Sequence, residues 1–99
     1  MFATILTFHH DPARWEEQKP VLRARIIPMV KTSPGFVAGY WTYDKSESRT
    51  VSFVVYETAD QAQALLRGVR DEADFQKKSG VTLESTRVVE IMAEEARDA

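Results

Sequence analysis

The chain has 99 residues, of which 43% are hydrophobic and 28% are charged, and its formal net charge at pH 7 is −2. This composition is typical of a single globular domain, and the lack of a basic excess removes the usual electrostatic reason to bind nucleic acid. Because the sequence contains no cysteine, disulfides, thiol nucleophiles and cysteine-ligated metal sites are excluded.

Neither an export signal nor a membrane segment is evident. Residues 1–6 carry no basic side chain, and acidic and basic residues begin at Asp11, which does not match a secretory signal peptide. No apolar run approaches the roughly 20 residues that cross a bilayer. We therefore expect a cytoplasmic protein with neither a membrane nor a nucleic-acid partner.

The first half of the chain predicts a strand, a helix and a second strand. Residues 2–9 are rich in Phe, Ile, Leu and Thr on both faces, as in a strand covered on both sides. Residues 12–31 predict an interrupted helix, with a short turn, a main helix starting at Pro20, and a bend or early end at Pro28. Residues 36–43 predict the second strand.

The second half repeats this order. Residues 49–56 predict a third strand, joined to the second by a five-residue polar turn. A helix follows, with Thr58 or Asp60 as its N-cap and Phe75 as the anchor of a looser last turn. Residues 81–92 predict the fourth strand. Two interleaved right-handed βαβ units place the first and third strands at the centre of one antiparallel sheet.

The register of the central hairpin decides which side chains face the helices. Pairing Tyr43 with Arg49 puts one glycine and several aromatic residues on the helix side: Gly39, Trp41, Tyr43 and Phe53. The opposite face then carries Tyr40, Val54 and Tyr56. Because two helices cover only one face of a four-stranded sheet, this second face is too apolar to stay in water. We therefore predict a homodimer that pairs these faces by two-fold symmetry into a barrel.

The segments PGFVAGYW (residues 34–41) and FVVYETAD (residues 53–60), in their βαββαβ order, resemble the dimeric α/β-barrel superfamily. The branch most similar to them is the antibiotic-biosynthesis-monooxygenase-type domains. The resemblance covers nearly the whole chain and implies one domain, residues 1–99. It implies an α+β, ferredoxin-like sandwich with two helices on one face of the sheet, a homodimer, and a pocket between sheet and helices. Some such proteins oxidise polycyclic phenols with oxygen and no cofactor, whereas others degrade haem, isomerise lactones or have no assigned activity.

Two histidines end the first predicted strand and are the candidate catalytic residues. His9 or His10 can act as a general base near neutral pH. Consecutive strand residues point to opposite faces, so only one of the two can face a given pocket. For the same reason the sequence His9-His10-Asp11 is not read as a metal site. The alternative is that both histidines are half-exposed residues at a strand end.

The candidate substrate-binding residues are Gly39, Trp41, Tyr43 and Phe53. A glycine beside a tryptophan leaves room for an aromatic-walled cavity. The alternative is that Trp41 belongs to the core and its N–H is satisfied locally. Three arginines could neutralise an anionic substrate, but we read them as solvated or ion-paired: Arg23, Arg25 and Arg87.

The sequence lacks polar residues that members of this family use, since it contains no asparagine and no histidine after His10. The haem-degrading branch uses a strand asparagine and a helix histidine, and the cofactor-free oxygenases also tend to use an asparagine. We therefore expect no haem, metal or other cofactor. Two functions stay open. One is a cofactor-independent monooxygenase acting on a small hydrophobic or phenolic metabolite, and the other is a non-catalytic dimeric module that binds a small ligand or serves as a scaffold.

Overall fold

The structure is a computed structural model that describes residues 1–97, so residues 98 and 99 of the predicted domain lie outside it. Its first half contains β1 (Phe2–His10), a 3-10 turn (Pro12–Arg14), α1 (Trp15–Val21), a π-helical segment (Leu22–Ile26), α2 (Ile27–Lys31) and β2 (Phe36–Asp44). Its second half contains β3 (Arg49–Tyr56), α3 (Ala59–Asp71), α4 (Ala73–Lys78) and β4 (Val81–Glu90). We call residues 12–31 the first helical arm.

The four strands form one antiparallel sheet in the order β2-β3-β1-β4. The two central strands supply most of its buried residues: Ala3, Thr4, Leu6, Ser52, Val54, Val55 and Tyr56. The helices lie on one face, where Val54 and Tyr56 pack against Val30 of α2 and Ala62 of α3. The predicted α+β, ferredoxin-like order is therefore confirmed. Within residues 1–97, no helix is long and apolar enough to cross a membrane.

The hairpin between β2 and β3 is one residue out of the predicted register. Asp44 pairs with Arg49, and Tyr43 pairs with Thr50, so the turn has four residues, 45–48. Asp44 fixes this shorter turn because its Oδ1 accepts hydrogen bonds from the backbone N–H (3.1 Å) and the hydroxyl (2.7 Å) of Ser46. The same hydroxyl is the main cause of the lowered pKa of Asp44.

This one-residue slip exchanges the two faces of β3, because side chains alternate along a strand. Val54 and Tyr56, predicted to lie on the dimer face, instead pack beneath the helices. Phe53, predicted to face the helices, lies opposite Tyr40 on the other side of the sheet. The predicted faces of β2 are correct at Gly39, Trp41 and Tyr43, whereas those of β3 are wrong.

The sequence predicts a main helix from Pro20 with a bend or an early end at Pro28, but the helix begins at Trp15 and does not end at Pro28. Pro20 lies inside α1, and the helix continues to Lys31. A π-helical segment precedes Pro28, and there the N–H of Ile27 donates to the carbonyl of Leu22, five residues back. Since Pro28 has no N–H with which to continue the normal ladder, the irregular turn lies where the helix would otherwise be interrupted.

Helix α3 begins at a capping box, with Thr58 as its N-cap. The Thr58 hydroxyl accepts from the N–H of Gln61 (3.2 Å), and the Gln61 side chain accepts from the N–H of Thr58 (3.1 Å). Helix α3 is docked on β1 by a hydrogen bond from the Thr4 hydroxyl to the carbonyl of Ala62 (2.8 Å). Phe75 of α4 is 69% exposed, so its predicted role as a buried anchor is wrong.

Candidate functional site

A cleft of about 1110 Å³ separates the sheet from the first helical arm and from one side of α3 and α4. It is larger than the roughly 300–1,000 Å³ of most ligand pockets, and most of its lining is apolar. Three large apolar side chains around it remain exposed to solvent: Val21 (39%), Met29 (62%) and Phe75 (69%). Exposed apolar groups along a cleft favour a hydrophobic ligand.

His10 lies in this cleft, whereas His9 lies on the other face of the sheet. The His10 ring is part-buried and both of its nitrogens have partners. Nδ1 is 2.9 Å from Oε1 of Gln18, on the first helical arm, and Nε2 is 2.8 Å from Oγ1 of Thr50, on β3. Of the two candidate histidines, His10 is the one that lines the cleft.

Burial lowers the pKa of His10 below its ordinary value of 6.5. The hydrogen bond with Gln18 opposes this shift, and the charge of His9 adds to it. Because desolvation is the largest cause and lowers the pKa, it favours the neutral imidazole at pH 7. A neutral imidazole is the form that can accept a proton.

An aromatic stack joins the first helical arm to β2 at the His10 end of the cleft. The rings of Trp15 and Tyr43 are 3.9 Å apart between centroids and only 9° from parallel. Trp15 also makes an edge-to-face contact with His10, at 5.2 Å and 86°. Tyr43 therefore lines the cleft, and Trp15 of the same chain covers one face of its ring.

Gly39 and Trp41 form part of the sheet wall. A Cβ atom at Gly39 would lie 2.5 Å from Cη2 of Trp41, so the indole ring lies directly across the glycine. The room that the sequence predicted beside Gly39 is filled by this ring, which itself lines the cleft. Phe53, the fourth predicted binding residue, does not line the cleft and lies near Tyr40 and Val55 on the far face.

No protein-family model matches the sequence, and no curated protein matches it significantly. Several solved structures do match. A Deinococcus radiodurans protein, provisionally named an antibiotic biosynthesis monooxygenase, has a TM-score of 0.69 at 17% identity, with 100% of this chain and 98% of that one covered. A dimeric ferredoxin-like protein from an uncultured marine organism has a TM-score of 0.66 at 12% identity, covering 97% of this chain and 98% of that one.

The ActVA-Orf6 monooxygenase of Streptomyces coelicolor, solved with nanaomycin D, matches with a TM-score of 0.60 at 16% identity, covering 99% of this chain and 91% of that one. The chain has the ferredoxin-like fold of these proteins. At 12–17% sequence identity the similarity concerns the fold alone. The activity of the present chain has to be argued from its own cleft.

Sequence reasoning missed three residues that the ferredoxin-like fold brings to His10, namely Trp15, Gln18 and Thr50. One signal could have found two of them, since Trp15 and Gln18 are three residues apart and share one face of α1. A fourth missed residue is Gln76, whose buried Oε1 has no hydrogen-bond partner within the described residues. It lines the same cleft and can accept a hydrogen bond from a ligand.

Across residues 1–97, no three histidine, aspartate or glutamate side chains are grouped closely enough to hold a metal ion. The predicted arginines also stay apart from the His10 network. Arg25 lies at the edge of the cleft and is exposed, and neither Arg23 nor Arg87 is among the cleft residues.

Proposed function

We propose that this protein is a cofactor-independent monooxygenase that oxidises a small phenolic or other hydrophobic metabolite with molecular oxygen. The observation that carries the proposal is the position of His10, a neutral histidine at the polar end of a largely apolar cleft of about 1110 Å³. The fold is that of a monooxygenase solved with nanaomycin D, which supports a ligand of similar bulk.

The proposed reaction balances without a cofactor. His10 is the base for the loss of the phenolic proton, which leaves an electron-rich anion that reacts with oxygen. Overall, a phenol and one molecule of oxygen give a quinone and one molecule of water. One oxygen atom enters the ring and the other leaves as water, and the substrate supplies all four electrons. The Trp41 ring and the apolar walls bind the flat substrate and exclude bulk water.

Oxygen uptake with 1-naphthol and 9-phenanthrol, a two-ring and a three-ring phenol, tests this function. We expect uptake by the wild-type protein and a loss of about 100-fold or more in His10→Gln, because the base is removed. His9→Gln is the matched control, since His9 faces away from the cleft, and it should retain the wild-type rate. Uptake no faster than that of unfolded protein would contradict the proposal.

A second function is a non-catalytic module that binds the same kind of ligand. It is favoured by the fact that both ring nitrogens of His10 already have protein partners. This function predicts that calorimetry detects binding of 9-phenanthrol while oxygen uptake stays at background. Binding with uptake supports the enzyme, and binding without uptake supports the module.

We also propose that two copies pair through the sheet face opposite the helices, which we call the open face. Its residues are Val37, Tyr40, Val51, Phe53 and Val55. Tyr40 is 65% exposed, and Val37 and Val51 are also exposed, so this face presents an apolar surface of the kind that self-association buries. The proposed interface contains Tyr40, Phe53 and Val55, whereas Val54 and Tyr56 lie on the helix side and are not part of it.

A further inference from the structure

The roles of the two ring nitrogens of His10 can be assigned from the hydrogen bonds of Gln18. The side-chain amide nitrogen of Gln18 donates to the carbonyl of Ser79 at 2.7 Å, which leaves Oε1 facing His10. An amide oxygen can only accept, so Nδ1 of His10 carries the hydrogen in this contact. Gln18 thereby selects the Nδ1–H tautomer.

The other nitrogen must then be an acceptor, because a neutral imidazole has one N–H. Its partner at 2.8 Å is the hydroxyl of Thr50, which therefore donates its hydrogen to Nε2. A hydroxyl oxygen that donates once keeps two lone pairs. Thr50 lines the cleft, so a ligand hydroxyl there can donate to Oγ1 of Thr50, whereas the basic nitrogen of His10 is already covered.

Resting on the monooxygenase function proposed above, we infer that Thr50 is the catalytic residue that takes the phenolic proton and passes its own to His10, with Gln18 as the positioning residue. In this step the substrate O–H bond breaks as a new O–H bond forms on Thr50. The original Thr50 hydrogen moves to Nε2. The products are a phenolate, an intact threonine and an imidazolium whose Nδ1–H remains bound to Gln18.

The relay also defines the chemical class of the substrate. The reacting group must be a hydrogen-bond donor that loses its proton, which selects phenols and enols over ethers and simple hydrocarbons. It must also reach the end of the cleft where Trp15 and Tyr43 are stacked, because that is where the rings of Trp15 and His10 meet. The remaining rings of the substrate then extend along the apolar part of the cleft.

Nitrogen NMR of the ¹⁵N-labelled protein tests the tautomer without any ligand. We expect Nδ1 of His10 to be protonated and Nε2 to be unprotonated in the wild type at neutral pH. Gln18→Leu removes the acceptor and should shift His10 towards the Nε2–H form that free histidine prefers. His9 serves as the internal control, and its signals should not change. A wild-type His10 protonated at Nε2 would overturn the relay and leave the proposed monooxygenase function standing.

Kinetics with 1-naphthol test the relay itself. Thr50→Val keeps the shape of the side chain but removes the hydroxyl, so we expect kcat to fall about 100-fold while KM changes by less than about threefold. Thr50→Ser restores the hydroxyl and should recover most of the rate. Thr82→Val is the matched control, because Thr82 is an exposed strand threonine that pairs with His9.

The two proposals fail in different ways. If the wild type consumes oxygen and Thr50→Val keeps the wild-type kcat, the relay is overturned and the monooxygenase function stands. If the wild type consumes no oxygen with either phenol, the monooxygenase function is overturned and the relay with it. A loss of rate in Thr50→Val that Thr50→Ser rescues, together with an Nδ1–H tautomer, supports both.

Discussion

The indole ring of Trp41 occupies the space that a side chain at Gly39 would need. The two residues are next-but-one neighbours on β2, so their side-chain positions lie on the same face of the sheet. A Cβ at Gly39 would come within 2.5 Å of Cη2 and 2.7 Å of Cζ3 of Trp41. The wall of the cleft at this point therefore depends on the absence of a side chain at Gly39.

Replacing Gly39 by alanine should displace the Trp41 ring and destabilise the protein. We expect a loss of about 1–3 kcal/mol in the free energy of unfolding, the usual range for overpacking. Urea denaturation followed by tryptophan fluorescence measures both the stability and the new environment of the ring. An unchanged free energy and emission spectrum would contradict the close contact.

Gly68→Ala is the matched control for this substitution. Gly68 lies in α3, where an added Cβ meets no atom within 4 Å. Alanine favours the helix over glycine by about 1 kcal/mol, so this variant should be slightly more stable than the wild type. The same glycine-to-alanine change should thus have opposite signs at the two positions.

The capping box predicts unequal effects at the two residues that the sequence offered as N-cap. Thr58→Ala removes the hydroxyl that accepts from the N–H of Gln61, and should lower the free energy of unfolding by about 1 kcal/mol. Asp60→Ala removes only a carboxylate from the first turn of α3, with an expected cost of about 0.3–1 kcal/mol. Urea denaturation followed by circular dichroism compares them, and a larger loss at Asp60 would contradict the assigned cap.

The lowered pKa of His10 predicts a stability that decreases in mild acid. In the unfolded chain His10 binds a proton near pH 6.5, whereas in the folded protein it binds one only at lower pH. The contribution of His10 to the free energy of unfolding is therefore complete above its pKa in the unfolded chain. This contribution falls as the pH drops below that pKa, and it stops falling below the pKa of His10 in the folded protein. Urea midpoints between about pH 7.5 and pH 5.5 span the upper part of this window.

His10→Gln should remove most of this pH dependence. His9→Gln is the matched control, because His9 lies on the opposite face of the sheet. Direct titration of His10 by NMR provides an independent value. A folded pKa above 6.5 would reverse the sign of the effect and contradict the assignment of desolvation as its main cause.

The open face predicts which substitutions separate the proposed dimer. Phe53→Glu places a charge at the centre of that face, and the cost of burying two such charges should leave a monomer of 11.3 kDa. Gln63→Glu adds the same charge at an exposed position of α3 and should leave the dimer intact. Light scattering measures the mass. A wild-type monomer at micromolar concentration would rule out the dimer.

The sequence predicted the order of the elements because apolar spacing, prolines and turn residues act locally. It failed at β3 because a hairpin register depends on the length of its turn, and the turn from Asp44 to Arg49 admits two lengths. A change of one residue moves Phe53 to one face of the sheet and Val54 to the other. No composition or periodicity within either strand distinguishes the two registers. The Asp44 contacts to Ser46 decide between them.

The candidate site was predicted only in part, for a related reason. Strand alternation is local, so Trp41 could be placed on the helix side and one of His9 and His10 near the pocket, but which histidine was left open. Gln18, Thr50 and Ser79 come from three separate parts of the chain. They meet only when the first helical arm and the turn before β4 have packed beside the sheet. Such polar contacts between distant segments leave no periodic signal in the sequence.

Pro20 and Pro28 make the two walls of the cleft differ in their backbone hydrogen bonding. The sheet side is held by an unbroken ladder between β1 and β3 and by a ladder between β2 and β3 whose register shifts only between Phe36 and Ala38. On the arm, neither Pro20 nor Pro28 can donate a backbone hydrogen bond, and the π-helical segment between them already departs from the regular ladder. A bulky ligand should therefore be accommodated by movement of the first helical arm. Amide hydrogen exchange should be faster in this arm than in the sheet. The sheet that carries Thr50 and His10 can then keep its register while the cleft adapts to ligands of different size.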